Sequence, residues 1–272
     1  MDRYGLSTVA TELDETGVLR VELNRPHSLN AIDDVMHREL RDLYQRIAVD
    51  PDVEVVLVTG AGRAFCVGGD FEQMEKNNVE GYPDGYPALF GDAAAMARNI
   101  LAVPQPLIAL VNGPALGLGA TLALFCDIVY MSATATIGDP HVQAGLVAAD
   151  GGVVLWPLLL GVNRAKEFLM QGDVLDAATA GELGLVNHVV EPDQLDARGL
   201  AAAQRLANGA SIAIRFNKRL VNKELEDRVS RIYDMALAME AVTFASQDHL
   251  EAVDAFLNKR TPVFGKHKRA RR

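Results

Sequence analysis

The chain has 272 residues, 49% hydrophobic and 23% charged, a composition that builds a sizeable globular core without staples. A formal net charge of −10 argues against nucleic acid as the main partner, and no apolar run reaches membrane length. The two cysteines, Cys66 and Cys126, have neither metal nor disulfide spacing; with no signal-peptide layout at the N-terminus, they point to buried thiols in a reducing cytoplasm.

Residues 18–23 alternate apolar and polar and read as a strand, ended by Asn24-Arg25-Pro26. Asn30 or Asp33 can cap a helix running to about Val49, with Ile32, Met36, Leu40, Leu43 and Ile47 on one stripe. Residues 53–59 form a buried strand that runs into a glycine-rich turn, and a helix opens over 70–77. The stretch 78–91, with Tyr82, Pro83, Tyr86 and Pro87, reads as irregular, either a lid or pocket wall or a variable surface loop. A helix over 93–101 leads to a second buried strand from Leu107 and a second glycine-rich turn at 112–121. A helix over 120–125 and a strand over 127–131 follow. A second irregular stretch, 133–152, holds Asp139-Pro140-His141 and Asp150-Gly151-Gly152. Helices are expected at 153–160, 164–170 and 177–183, and a short strand at 186–190. From Gln194 onward nothing looks like strand, and 195–208, 211–226 and 229–257 read as helices. Strand–helix alternation followed by a helical end predicts an α/β fold with largely parallel core strands, divided into a core over 1–193 and a helical region over 194–272.

Two strand–turn–helix units side by side can aim backbone N–H groups at one point, an arrangement that binds an oxygen gaining negative charge. A dinucleotide turn needs a third glycine, but Phe65 follows Gly60 and Gly62, and Leu122 follows Gly117 and Gly119. The basic tail of Lys266, Lys268, Arg269, Arg271 and Arg272 is either a solvated terminus or an attraction for an anionic ligand or a neighbouring subunit.

The order and spacing of several motifs carry a resemblance. They are Asn24-Arg25-Pro26 with Leu29-Asn30-Ala31, Gly60-x-Gly62-x-Ala64-Phe65-Cys66-x-Gly68-Gly69-Asp70, and Asn112-Gly113-x-Ala115-x-Gly117-x-Gly119. Cys126-Asp127-Ile128, Gly145-Leu146-Val147 and Gly184-Leu185-Val186-Asn187 extend the series. Over nearly its whole length the chain resembles the crotonase superfamily, the enoyl-CoA hydratase/isomerase family. The resemblance implies a right-handed spiral of ββα turns with a C-terminal helical region that drives trimerisation, the trimers often pairing into hexamers. It implies acyl-CoA thioesters as substrates, with no separate cofactor, and an enolate held by the N–H groups of Gly69 and Leu118. It places coenzyme A near Arg25, Ser28, Leu29, Ala64, Gly68, Asp70 and Thr121. Lys259 and Arg260 would lie near the phosphates, or are simply cations favoured at a helix C-terminus. His27, His37, His188, His249 and His267 have no ligand spacing, so no metal is expected.

The chain departs from that family where the two hydratase glutamates would fall, at Thr121 and His141. Thr121 can donate a hydrogen bond or simply start a helix. His141 titrates in the range where a proton is both taken and given. Asp150 either orients that histidine or caps the helix at Val153. The segment His141…Gly145…Asp150-Gly151, with Leu155-Trp156-Pro157 after it, is similar to that of C–C-cleaving members of the 6-oxocamphor hydrolase type. Three readings follow: an acyl-CoA hydratase or isomerase with a His141–Asp150 pair, a hydrolase of β-dicarbonyl C–C bonds, or a non-catalytic acyl-CoA-binding subunit.

Overall fold

Apolar runs without alternation become strands covered on both faces. In the computed structural model, which describes residues 3–81 and 85–265, β3 (Val55–Gly60) and β4 (Leu107–Val111) are buried at every position. They are central in a sheet of order β1-β2-β3-β4-β6-β9, with β1 at Val9–Leu13, β2 at Val18–Leu23, β6 at Ile128–Ser132 and β9 at His188–Val190. Only the β1–β2 pair in this sheet is antiparallel. A smaller sheet, β5-β7-β8 (Ala115–Leu116, Thr136–Gly138, Val174–Asp176), stands beside it. The chain thus winds as a mixed α/β spiral, and helices cover it.

Those helices are α1 (Asp34–Ala48), α2 (Phe71–Glu80), α3 (Gly85–Ala102), α4 (Leu118–Leu124), α5 (Gly152–Leu160), α6 (Val162–Gln171) and α7 (Ala177–Glu182). The helical end comprises α8 (Leu195–Ala207), α9 (Ser211–Phe244) and α10 (Gln247–Leu257). The stripe expected on α1 packs inward, with Met36, Leu40, Leu43 and Ile47 fully buried. Asp33 caps α1, accepting from the N–H groups of Val35 and Met36.

Asn30 does not cap. It sits at φ 58 and is wholly buried. Its side-chain amide donates to the carbonyls of Ala61 and Ala64, each at 2.9 Å. Asn112 does the same from the second turn, donating to the Gly60 carbonyl at 2.9 Å and accepting from its N–H at 3.2 Å. The two glycine turns are therefore cross-braced by side-chain amides. They also meet backbone to backbone: a Cβ at Gly119 would stand 2.1 Å from the Cys66 carbonyl oxygen, so no larger residue fits there.

Most of the described part of the stretch 78–91 is helical. α2 runs through Glu80 and α3 begins at Gly85, so helix formation overrides the local glycine and proline signals there. Tyr82, Pro83 and the basic tail from Lys266 onward lie outside the described residues, as do the side chains of Tyr86 and Pro87. The break expected between 226 and 229 is absent too. No glycine or proline interrupts 211–244, Lys223 and Asp227 pair at 2.8 Å one turn apart, and α9 continues to Phe244. The chain turns instead at Ala245–Ser246, where Ser246 caps α10 by accepting from His249 N–H. The stretch 133–152 is irregular only in part, since it contains β7 and a 3-10 turn, Pro140–Ala144.

Candidate active site

The first glycine turn bends at Gly68, with φ 90 and the Leu116 carbonyl oxygen 2.9 Å from where a Cβ would stand. Beyond it, Ile32 pairs with Gly69 through Ile32 N–H to the Gly68 carbonyl (2.8 Å) and Asp70 N–H to the Ile32 carbonyl (3.1 Å). In such a bridge the intervening residue's own N–H points the opposite way, so Gly69 N–H faces away from Ile32. Leu118 is the first residue of α4, and its N–H has no partner inside the helix. Both residues line one cavity, and His141 and Asp150 line the same one. The four residues expected from sequence to hold the oxyanion and move the proton are thus brought together.

His141 is carried by the 3-10 turn Pro140–Ala144, which opens on Asp139 and closes on Gly145 at φ 69. Its ring lies over the second glycine turn, its Cε1 3.2 Å from where a Cβ at Gly117 would stand. Each ring nitrogen meets a carboxylate. Asp139 Oδ1 makes a short contact with Nδ1, and Asp150 Oδ2 lies 3.3 Å from Nε2. Burial opposes charge on this imidazole, but the two carboxylates outweigh burial and hold it well above its ordinary 6.5. Three ligand-type atoms of Asp139, His141 and Asp150 lie within 4.8 Å of one another. Because the single imidazole has a carboxylate at each nitrogen, the arrangement is suited to holding a proton.

Asp150 does not cap a helix: α5 has Gly151 at its cap, with no side-chain hydrogen bond there. Its Oδ1 instead accepts from the Thr121 hydroxyl at 3.2 Å, and its backbone carbonyl accepts from the Tyr233 hydroxyl at 2.6 Å. Thr121 is therefore more than a helix-start residue.

Among the ionisable groups of the cavity wall, Glu240 and His37 had no site role in the sequence reading. Glu240 of α9 is 5% exposed. Burial pushes its carboxyl up to about 8; the His141 charge pulls the other way, and Asp150 and Asp139 add to the rise. His37 of α1 is held below its ordinary value, chiefly by burial. The available signal for Glu240 was a lone acid in the apolar run 235–242.

The residues expected to meet coenzyme A frame the first turn. Arg25 pairs with Asp70 at 3.0 Å and Asp33 at 3.2 Å, so its guanidinium is already engaged. The Ser28 hydroxyl donates to the Arg25 carbonyl, Leu29 sits at φ 55, and the buried Ala64 supplies a carbonyl to Asn30. Lys259 is exposed just beyond the end of α10, whereas Arg260 is bound to Glu251 and Asp254.

Residues 14–267 match the family model described as enoyl-CoA hydratase/isomerase. A crotonyl-CoA hydratase of Syntrophomonas wolfei is 33% identical over 243 residues, 89% of this chain and 92% of its own. A 1,2-epoxyphenylacetyl-CoA isomerase of Escherichia coli is 32% identical, covering 92% of this chain and 95% of its own. The crystal structure of an enoyl-CoA hydratase/isomerase from Mycobacterium paratuberculosis superposes with a TM-score of 0.87 at 37% identity, over 92% of this chain and 99% of that one.

Proposed function

The chain belongs to the enoyl-CoA hydratase/isomerase family, and from that premise we propose that it stabilises the enolate of an acyl-CoA thioester and moves protons with His141 and Asp150. The observation that carries this reading is the shared cavity of Gly69, Leu118, His141 and Asp150. The thioester oxygen accepts from the Gly69 and Leu118 N–H groups. In a hydration, Asp150 takes a proton from water as its oxygen bonds to Cβ. The electron pair moves onto the thioester oxygen, and His141, resting as imidazolium, gives its proton to Cα. The proton on Asp150 then returns to His141 across their 3.3 Å contact, restoring both groups. Arg25, Ser28, Leu29, Ala64, Gly68 and Asp70 shape the coenzyme A subsite. Arg25 acts there through its ion pairs with Asp33 and Asp70, Thr121 holds Asp150, and the exposed Lys259 meets phosphate. The helical end associates the chain into trimers.

The test is turnover of crotonyl-CoA, followed by loss of the enoyl absorbance. Gly69→Pro removes one oxyanion donor and lowers kcat at least about a hundredfold in the folded protein. Near-normal rates in a folded Gly69→Pro variant contradict the oxyanion hole.

A second reading, hydrolysis of a C–C bond in a β-dicarbonyl substrate, draws support from Thr121 and His141, which stand where hydratase carboxylates are expected. Turnover of a cyclic β-diketone without coenzyme A, with none of crotonyl-CoA, selects it. Binding of crotonyl-CoA without turnover of either compound selects a non-catalytic subunit.

A further inference from the structure

Asp139 formed no part of the site read from the sequence. It is 1% exposed. Its Oδ1 meets His141 Nδ1, and its Oδ2 is buried without a hydrogen-bond partner among the described residues. That oxygen is packed against Gly152, where a Cβ would stand 2.0 Å from it. A buried carboxylate with one oxygen unsatisfied is costly unless a cation lies beside it, and the imidazole of His141 is the group it touches. Its capping contact is marginal by comparison, with 3.5 Å from His141 N to Oδ1.

We propose that Asp139 is the positioning residue of the site: its carboxylate fixes the His141 ring at Nδ1 and so turns Nε2 toward Asp150 and the cavity. The inference rests on the reading of His141 as the proton carrier. It moves the orienting role expected for Asp150 onto Asp139. Asp150, hydrogen-bonded to Thr121, is then free to exchange protons at the other end of the ring. The glycines on either side give the arrangement its room: Gly152 behind Asp139, and Gly117 under the ring at Cε1. The other ionisable groups that share its cavity are Glu240 from α9, Asp34 and His37 from α1, and Asp33 and Asp70, both paired with Arg25. His249 of α10 hydrogen-bonds the same 3-10 turn at the Ala144 carbonyl.

The experiment is an NMR titration of the His141 ring nitrogens in the full chain, assigned with a His141→Gln variant. It is run on wild type, Asp139→Asn and Asp139→Ser, with the pH profile of crotonyl-CoA turnover alongside. Both substitutions keep a capping acceptor and remove the charge. The expected result is a wild-type His141 that stays doubly protonated above neutral pH. In both variants, checked to be folded, its midpoint falls by about one pH unit or more, and the kcat/KM profile moves with it. A wild-type His141 that titrates near the ordinary histidine value overturns the inference whatever the variants do. So does a midpoint that Asp139→Asn and Asp139→Ser leave in place, for Asp139 then only caps the turn. If the midpoint moves but wild type turns over no crotonyl-CoA, the positioning role stands and the hydratase reading fails.

Discussion

In the proposed reaction His141 brings a proton rather than an empty site for one, because two carboxylates hold it charged against the pull of burial. Its neighbour Glu240 is the converse case, an acid kept neutral by burial. Burial pushes this carboxyl from its ordinary 4.5 up to about 8, so folding takes up a proton between those limits. The stability contributed by the protonated group is fully present below the lower value and is lost as pH rises through the upper one. Glu240→Gln removes that loss. Its stability relative to wild type should therefore rise from about pH 5 to about pH 8.5, as read by urea unfolding at both; a pH-independent difference contradicts the buried neutral acid. At this scale the sequence signals were uneven. His141 and Asp150 stand out because glycines frame them in a recognisable order. Asp139 is hidden by Pro140, which makes it look like an ordinary turn residue. Glu240 sits far along the chain on α9, and only tertiary packing brings it to the cavity.

Caps and covered faces decide the helices. Asp33 accepts from two N–H groups of α1 and also pairs with Arg25, so Asp33→Ala should cost about 1 kcal/mol or somewhat more. Thermal unfolding checks this, and an unchanged melting temperature would remove the cap from the account. α9 leaves apolar side chains uncovered on two stretches, Ile212, Phe216, Leu220 and Val221 in its first half and Met235, Met239 and Val242 in its second. Leu237 and Phe244 lie on the opposite face of the helix and are buried by this same chain. Exposed apolar stripes mark candidate contact surfaces, and a second and third copy of this chain are the proposed cover. Light scattering should report a trimer or hexamer, and a stable monomer at micromolar concentration contradicts it. Strand and helix positions in the core were legible wherever apolar runs end at glycine. The three-residue strands β7 and β8 were not, since so short a segment has no readable period. The continuous α9 was missed because its charged middle resembles a break, although the i,i+4 pair of Lys223 and Asp227 sustains the helix.

Across the whole molecule, two parallel strands each deliver a glycine turn, and side-chain amides brace the first turn from two sides. Asn30 holds the first turn and Asn112 ties it to the second, so the Gly69 and Leu118 N–H groups are fixed by backbone rather than by mobile side chains. Such preorganised donors act where charge develops and need no rearrangement during reaction. The proposed proton-transfer pair is set on the same frame, His141 above Gly117 and Asp150 beside Thr121. The central claim is that this frame works on an acyl-CoA enolate through His141. The most direct measurement is the rate of crotonyl-CoA turnover by wild type and His141→Ala side by side, with folding of both checked. The account predicts measurable turnover by wild type and a loss of about a hundredfold or more in the variant; equal rates in the two proteins would contradict it.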